Sequence, residues 1–112
     1  MAQRVASCHE YFETLNQRFI ADKANGVDAT YLFRLGGDGG GTWTVTVKDQ
    51  TLTVSPAAVD NPSVTLEMAA KDHVDLANGD LGGVKAVFTR KLKVSGNIGL
   101  AKRMNDFLPP NK

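Results

Sequence analysis

The sequence predicts an α+β fold: a five-stranded, largely antiparallel sheet whose one apolar face is covered by helices. Three observations predict it. Apolar residues recur every three or four positions near the N-terminus and again near the C-terminus, the period of helices packed along one face. Between them, apolar and polar residues alternate in short runs, the period of strands buried on one side. The connections within that central region are short or marked by glycine and proline, which suits an antiparallel meander. At 112 residues, 42% hydrophobic and 22% charged, the chain fits one domain spanning residues 1–112, and its composition is neither disordered nor coiled-coil.

The first element is an amphipathic helix over residues 4 to about 24, with Val5, Cys8, Phe12, Leu15 and Phe19 on its apolar stripe. Asn25-Gly26 stops it, because glycine takes the left-handed conformation that closes a last turn. Tyr31, Phe33 and Leu35 alternate with Leu32 and Arg34 to give a strand, and Trp43, Val45 and Val47 alternate with threonines to give a second. Asp49-Gln50 is a polar break before a third strand, Thr51-Leu52-Thr53-Val54. Pro56 and Pro62 bracket a loop, and Val64, Leu66 and Met68 form a fourth strand. A short helix follows, with Asp72 as N-cap and Asn78-Gly79 as its stop. A second, glycine-weakened helical segment runs over residues 82 to about 88 and is the candidate for a mobile lid. Lys91-Leu92-Lys93-Val94 is a fifth strand, and after Gly96-Asn97 a last helix carries Ile98, Ala101, Met104 and Phe107 or Leu108 before Pro109-Pro110 stops it.

Composition narrows the function classes. The single cysteine, Cys8, forms no disulfide within the chain, the N-terminus lacks the apolar run of a leader, and the last residues are not a Ser-Lys-Leu address. A cytoplasmic protein is therefore the expectation. Net charge is +1, but residues 1–81 hold six basic and eleven acidic side chains, while residues 82–112 hold seven and one. That asymmetry of −5 against +6 is either an ordinary solvated surface or a docking face for an anionic lipid headgroup or membrane. Arg90, Lys91, Lys93, Lys102 and Arg103 are the candidate contacts.

Motifs of known chemistry fail on spacing. The run from Gly36 to Gly41 invites a phosphate, but Thr42 stands where a dinucleotide fingerprint needs glycine and where a P-loop needs lysine, and a strand follows instead of a helix. Cys8 and His9 are adjacent and point about 100° apart on a helix, so they do not form a nucleophile and base pair. Asp72, His73 and Asp75 form no recognised metal-ligand spacing and are expected to face water. No catalytic residue, metal or cofactor is expected. Nucleic-acid binding is disfavoured, because Tyr31, Phe33 and Trp43 belong to the buried face, with no basic residues interleaved for base stacking.

So many apolar faces around a small volume suit a pocket. The order and spacing of Gly41-Thr42-Trp43-x-Val45-x-Val47, Val64-Thr65-Leu66-x-Met68 with Asp72 following, Asn78-Gly79, and Phe88-x-x-Lys91-Leu92-Lys93-Val94-x-Gly96 resemble the sterol carrier protein 2 (SCP2) lipid-binding domain over residues 5–108. Arg90 stands where that family commonly has glycine, which puts the geometry of that turn in question. The resemblance implies non-catalytic binding and carriage of a sterol, fatty acid, fatty acyl-CoA or phospholipid in a hydrophobic tunnel between sheet and helices. It implies a lining of Phe33, Leu35, Trp43, Val45, Val74, Leu81, Val84, Phe88, Ile98, Leu100, Met104 and Phe107. The alternatives are an interaction or dimerisation module with no closed cavity, and an acid–base enzyme acting on an apolar substrate.

Overall fold

Alternating apolar residues commit the middle of the chain to a sheet. The computed structural model describes residues 5–108, with strands β1 (Ala29–Gly36), β2 (Gly41–Lys48), β3 (Thr51–Ser55), β4 (Val64–Ala69) and β5 (Leu92–Gly96). They lie in the order β3-β2-β1-β4-β5. The expected meander holds for β1 to β3, while β4 pairs parallel to β1 and antiparallel to β5, so the sheet is mixed. The segment between β3 and β4 makes the crossover without a helix. The Thr44 hydroxyl holds it by donating to the Ala57 carbonyl at 2.6 Å, and Thr44 and its pairing partner Leu32 are both buried on this outer face.

Register stacks the apolar residues on the inner face. Tyr31 lies between Val45 and Val64, Phe33 between Trp43 and Leu66, and Leu66 beside Val94. On the outer face Arg34, Glu67 and Lys93 form a charged row across neighbouring strands. The glycine-rich connection is a hairpin turn from Gly37 to Gly40, closed by Gly40 N–H donating to the Gly37 carbonyl at 3.1 Å. At the end of β5, Gly96 has φ 93°, and a Cβ there would lie 2.5 Å from the Ser63 carbonyl oxygen. Close approach of β5 to the start of β4 therefore requires glycine.

The N-terminal stripe is buried as its period requires, with Val5, Cys8, Phe12 and Leu15 in the core and Phe19 half-buried. The single long helix is not what forms, and its start at Arg4 lies outside the described residues. Instead α1 (Cys8–Glu13) is followed by α2 (Leu15–Arg18) and a 3-10 turn, Ala21–Ala24. Ser7 caps α1 by accepting from Glu10 N–H at 3.1 Å, and Glu10 reaches back to Ala6 N–H at 3.0 Å, in the manner of a capping box. Thr14 divides the helix by donating its hydroxyl to the Glu10 carbonyl at 2.7 Å, a backbone bond that competes with helix continuation. The chain then leaves the helix so that Ile20 N–H can donate to the Phe107 carbonyl at 2.9 Å.

The remaining helices are α3 (Ala70–Ala77), α4 (Gly83–Phe88) and α5 (Ile98–Phe107). Asp72 is not the N-cap of α3: β4 runs straight into the helix at Ala70, and Asp72 sits in its first turn. Asn97 does cap α5, accepting from Leu100 N–H at 3.1 Å. The stop expected from Pro109-Pro110 lies outside the described residues.

Candidate functional site

The inner face is covered unevenly. Over β1 and β2, Tyr31, Phe33, Leu35, Val45 and Val47 are buried. Towards the β4–β5 edge, Met68, Leu92 and Val94 face the same side yet are only half-buried. Val74 from α3, Leu81 beyond it, and Leu100 and Met104 from α5 are half-buried too. Both α4 and α5 contact β5. Along this edge apolar residues of the sheet and of α5 pack against the core without being fully covered.

The expected lining residues separate into three groups. Phe33, Leu35, Val45 and Phe107 are packed core. Trp43, Val74, Leu81, Leu100 and Met104 are half-buried. Val84, Phe88 and Ile98 face solvent, with Val84 86% and Phe88 88% exposed. Helix α4 is held through Ala86, which is fully buried, and by Lys91 N–H donating to the Ala86 carbonyl at 2.8 Å.

The core also holds an aromatic cluster that contains an imidazole. Phe12 runs nearly parallel to Trp43, centroids 4.6 Å apart, and to His73, centroids 5.4 Å apart. Tyr11 and Phe33 meet His73 edge-on at 4.6 and 5.7 Å. The expectation that His73 faces water is overturned. Because α3 begins at Ala70, positions 70, 73 and 77 fall on one stripe, and Ala70, His73 and Ala77 all face the core. Burial lowers the His73 pKa to about 4, and its Nδ1 is buried with no hydrogen-bond partner. The imidazole is neutral at pH 7, and this position was legible only as part of the Ala70-His73-Ala77 spacing.

Two further polar ties position the helices. Tyr31 is buried in the sheet and donates its hydroxyl to the Leu100 carbonyl of α5 at 2.8 Å, and burial pushes its pKa up to about 12. Asn78, the predicted helix stop, also clamps the N-terminal segment. It accepts from Val5 N–H at 2.8 Å and donates to the Val5 carbonyl at 2.9 Å. Cys8 is a core thiol, as its place on the apolar stripe implies, and burial raises its pKa. No three His, Cys, Asp or Glu side chains among the described residues converge in a way that could hold a metal ion.

Of the basic candidates, Arg90, Lys91 and Lys102 are exposed. Lys93 lies opposite Glu67 on the outer face. Arg103 is tied down, donating to the Asn25 carbonyl at 3.1 Å and pairing with Asp106 at 3.6 Å. A separate cleft of about 410 Å³, bounded by Asn25, Gly26, Val27, Asp28, Asp49 and Gln50, has two carboxylates in its walls and does not suit an acyl chain.

Residues 12–109 match the sequence model described as the SCP-2 sterol transfer family. The chain belongs to that family. Hydroxysteroid dehydrogenase-like protein 2 of Homo sapiens is 29% identical over 106 residues, 94% of this chain and 25% of that protein, so this chain spans about a quarter of that relative. In structure, the chain is similar to the sterol carrier protein domain 2 of Helicoverpa armigera, with TM-score 0.71 and 31% identity, over 87% of this chain and 81% of that one. It is also similar to palmitated SCP2L2 from Aedes aegypti, with TM-score 0.71 and 24% identity, over 88% and 90% of the two chains. The SCP2 fold thus accounts for the mixed sheet and its helical cover. Among the described residues no helix is long and apolar enough to cross a membrane.

Proposed function

We propose that this chain binds a lipid with a long apolar chain and carries it, without catalysing a reaction on it, as one lipid-binding domain. The observation that carries the reading is the incomplete burial at the β4–β5 edge, where Met68, Leu92, Val94, Leu100 and Met104 pack against the core of an SCP2 fold yet keep part of their apolar surface in water; this edge is read as the binding trough. Water against that surface is unfavourable by about 25 cal/mol per Å², so an acyl chain lying there is favoured over solvent. Methionines at 68 and 104 suit this, since their flexible thioethers repack around ligands of different shape. The palmitated Aedes aegypti relative supports a fatty acid as the first ligand to test.

His73 does not favour an acid–base enzyme, because it is buried and enclosed by Tyr11, Phe12 and Phe33. The test is native mass spectrometry of the purified chain, then organic extraction and palmitate titration of the stripped protein. A stoichiometric fatty acid, sterol or phospholipid, or saturable 1:1 palmitate binding weakened by Met104→Glu, is the expected result. A bare chain that binds no palmitate refutes the reading and leaves an interaction module.

A further inference from the structure

The trough explains the half-buried residues but not α4, whose large apolar side chains stand in solvent. Val84 and Phe88 stand four residues apart on one face and Val87 lies beside them, so a six-residue helix presents three large apolar groups to solvent at 86%, 88% and 49% exposure. Isolated exposed apolar residues are ordinary, but three contiguous ones on one short helix mark an interaction surface. Lys85 lies within this helix and Arg90 and Lys91 directly follow it, all exposed. From residue 82 to residue 105 the sequence holds six basic side chains and no acidic one, while residues 1–81 carry −5.

We propose that α4 is a membrane-insertion element that docks the protein on an anionic bilayer, with Val84, Val87 and Phe88 entering the interface and Lys85, Arg90 and Lys91 contacting lipid phosphates. Charge complementarity selects this occupant. Apolar groups ringed by cations match a surface that is anionic outside and apolar beneath, and the acidic body is repelled from the same surface, which orients the molecule. Lys102, one turn beyond the exposed Ile98 on α5, extends the same arrangement. The proposal rests on the carrier reading for its purpose, because α4 and the trough both adjoin β5 and docking brings the trough to the lipid surface. Its geometry stands independently.

The experiment is co-sedimentation of the full chain with vesicles of neutral phosphatidylcholine or of phosphatidylcholine containing about 30 mol% phosphatidylglycerol. Binding is expected on the anionic vesicles and is expected to fall as salt rises from about 50 to about 200 mM. Phe88→Ala should weaken it about 10-fold or more, and Lys91→Gln about fivefold, with thermal melting unchanged because both side chains are exposed. Val59→Ser, at an exposed apolar position on the crossover, should leave binding as it is. As a second readout, Phe88→Trp should blue-shift on anionic vesicles and be quenched by brominated acyl chains. Equal binding to neutral and anionic vesicles, indifference to Phe88→Ala, or a concentration-dependent dimer abolished by Phe88→Ala would overturn the proposal, the last assigning the face to a second copy. Native mass spectrometry of the Phe88→Ala protein separates the two readings. Retained lipid with lost docking shows that carriage survives alone, and docking through α4 by a chain that carries no lipid refutes carriage only.

Discussion

At the scale of single residues, burial of His73 predicts a loss of stability in acid. Its pKa of about 4 lies below the ordinary 6.5 because burial disfavours the charged imidazolium. Between these values the unfolded chain binds the proton and the folded chain does not, so stability is fully present above pH 6.5 and is lost as pH falls towards 4. The shift corresponds to at most about 3 kcal/mol. His73→Phe keeps the stacking with Phe12 and removes the titration, so urea midpoints measured from pH 7 to 4 should fall for the native chain and stay flatter for the variant. A parallel decline in both proteins would show that other groups govern the acid limb. How far a residue's place was legible in the sequence is well shown by Cys8 and His73. Cys8 lay on a stripe of large apolar residues and its burial followed from period alone. His73 stands between Asp72 and Val74, two residues before Asp75, and local polarity pointed to water. Starting the helix at Ala70 puts His73 on the stripe shared by Ala70 and Ala77 and turns the imidazole inward.

At the scale of elements, periodicity identified the five strands and the apolar stripes near the two ends of the chain, whereas where each element ends depended on side-chain bonds that periodicity does not carry. The N-terminal stripe runs unbroken from Val5 to Phe19, yet three separate pieces form because Thr14 bonds back to Glu10 and Ile20 bonds across to Phe107. The parallel β1–β4 pairing was hidden for a similar reason, since only the anchoring of Ala57 by Thr44 shows that the eight residues from Pro56 to Ser63 form a crossover. One doubtful turn was legible in advance. Arg90 stands where the SCP2 pattern commonly has glycine, and the structure places it at φ 63° in the left-handed region, between α4 and β5. A side chain there costs roughly 1–2 kcal/mol, partly offset by glycine's greater freedom in the unfolded chain. Arg90→Gly should therefore raise the urea midpoint by the equivalent of about 0.5–1 kcal/mol while weakening binding to anionic vesicles. An unchanged or lowered midpoint would mean that the turn carries no strain worth relieving. A strained arginine beside an exposed apolar helix is what a docking role would retain against stability.

At the scale of the whole molecule, burial is divided along the sheet. The β1–β2 half is packed with Phe12, Phe33, Tyr31 and Val47, while at the β4–β5 half Met68, Leu92 and Val94 pack against the core and stay only half-buried. In the carrier reading, stability and binding fall to different regions, and a ligand in the β4–β5 half would complete a core that the protein leaves partly open. Completion has a thermodynamic signature. A ligand that binds only the folded state at 100 times its dissociation constant adds about 2.7 kcal/mol. For a chain of this size, that corresponds to a rise in Tm on the order of 10 °C. Calorimetry of the stripped protein with and without palmitate should show this rise, and Met104→Glu, placing a carboxylate in the trough, should abolish it. Docking through α4 predicts the opposite dependence: Phe88→Ala should leave the palmitate-induced rise intact, because Phe88 is 88% exposed. A rise lost in both variants would join trough and α4 into one site. A rise lost only with Met104→Glu would assign the lipid to the trough and leave the apolar groups of α4 free for the membrane.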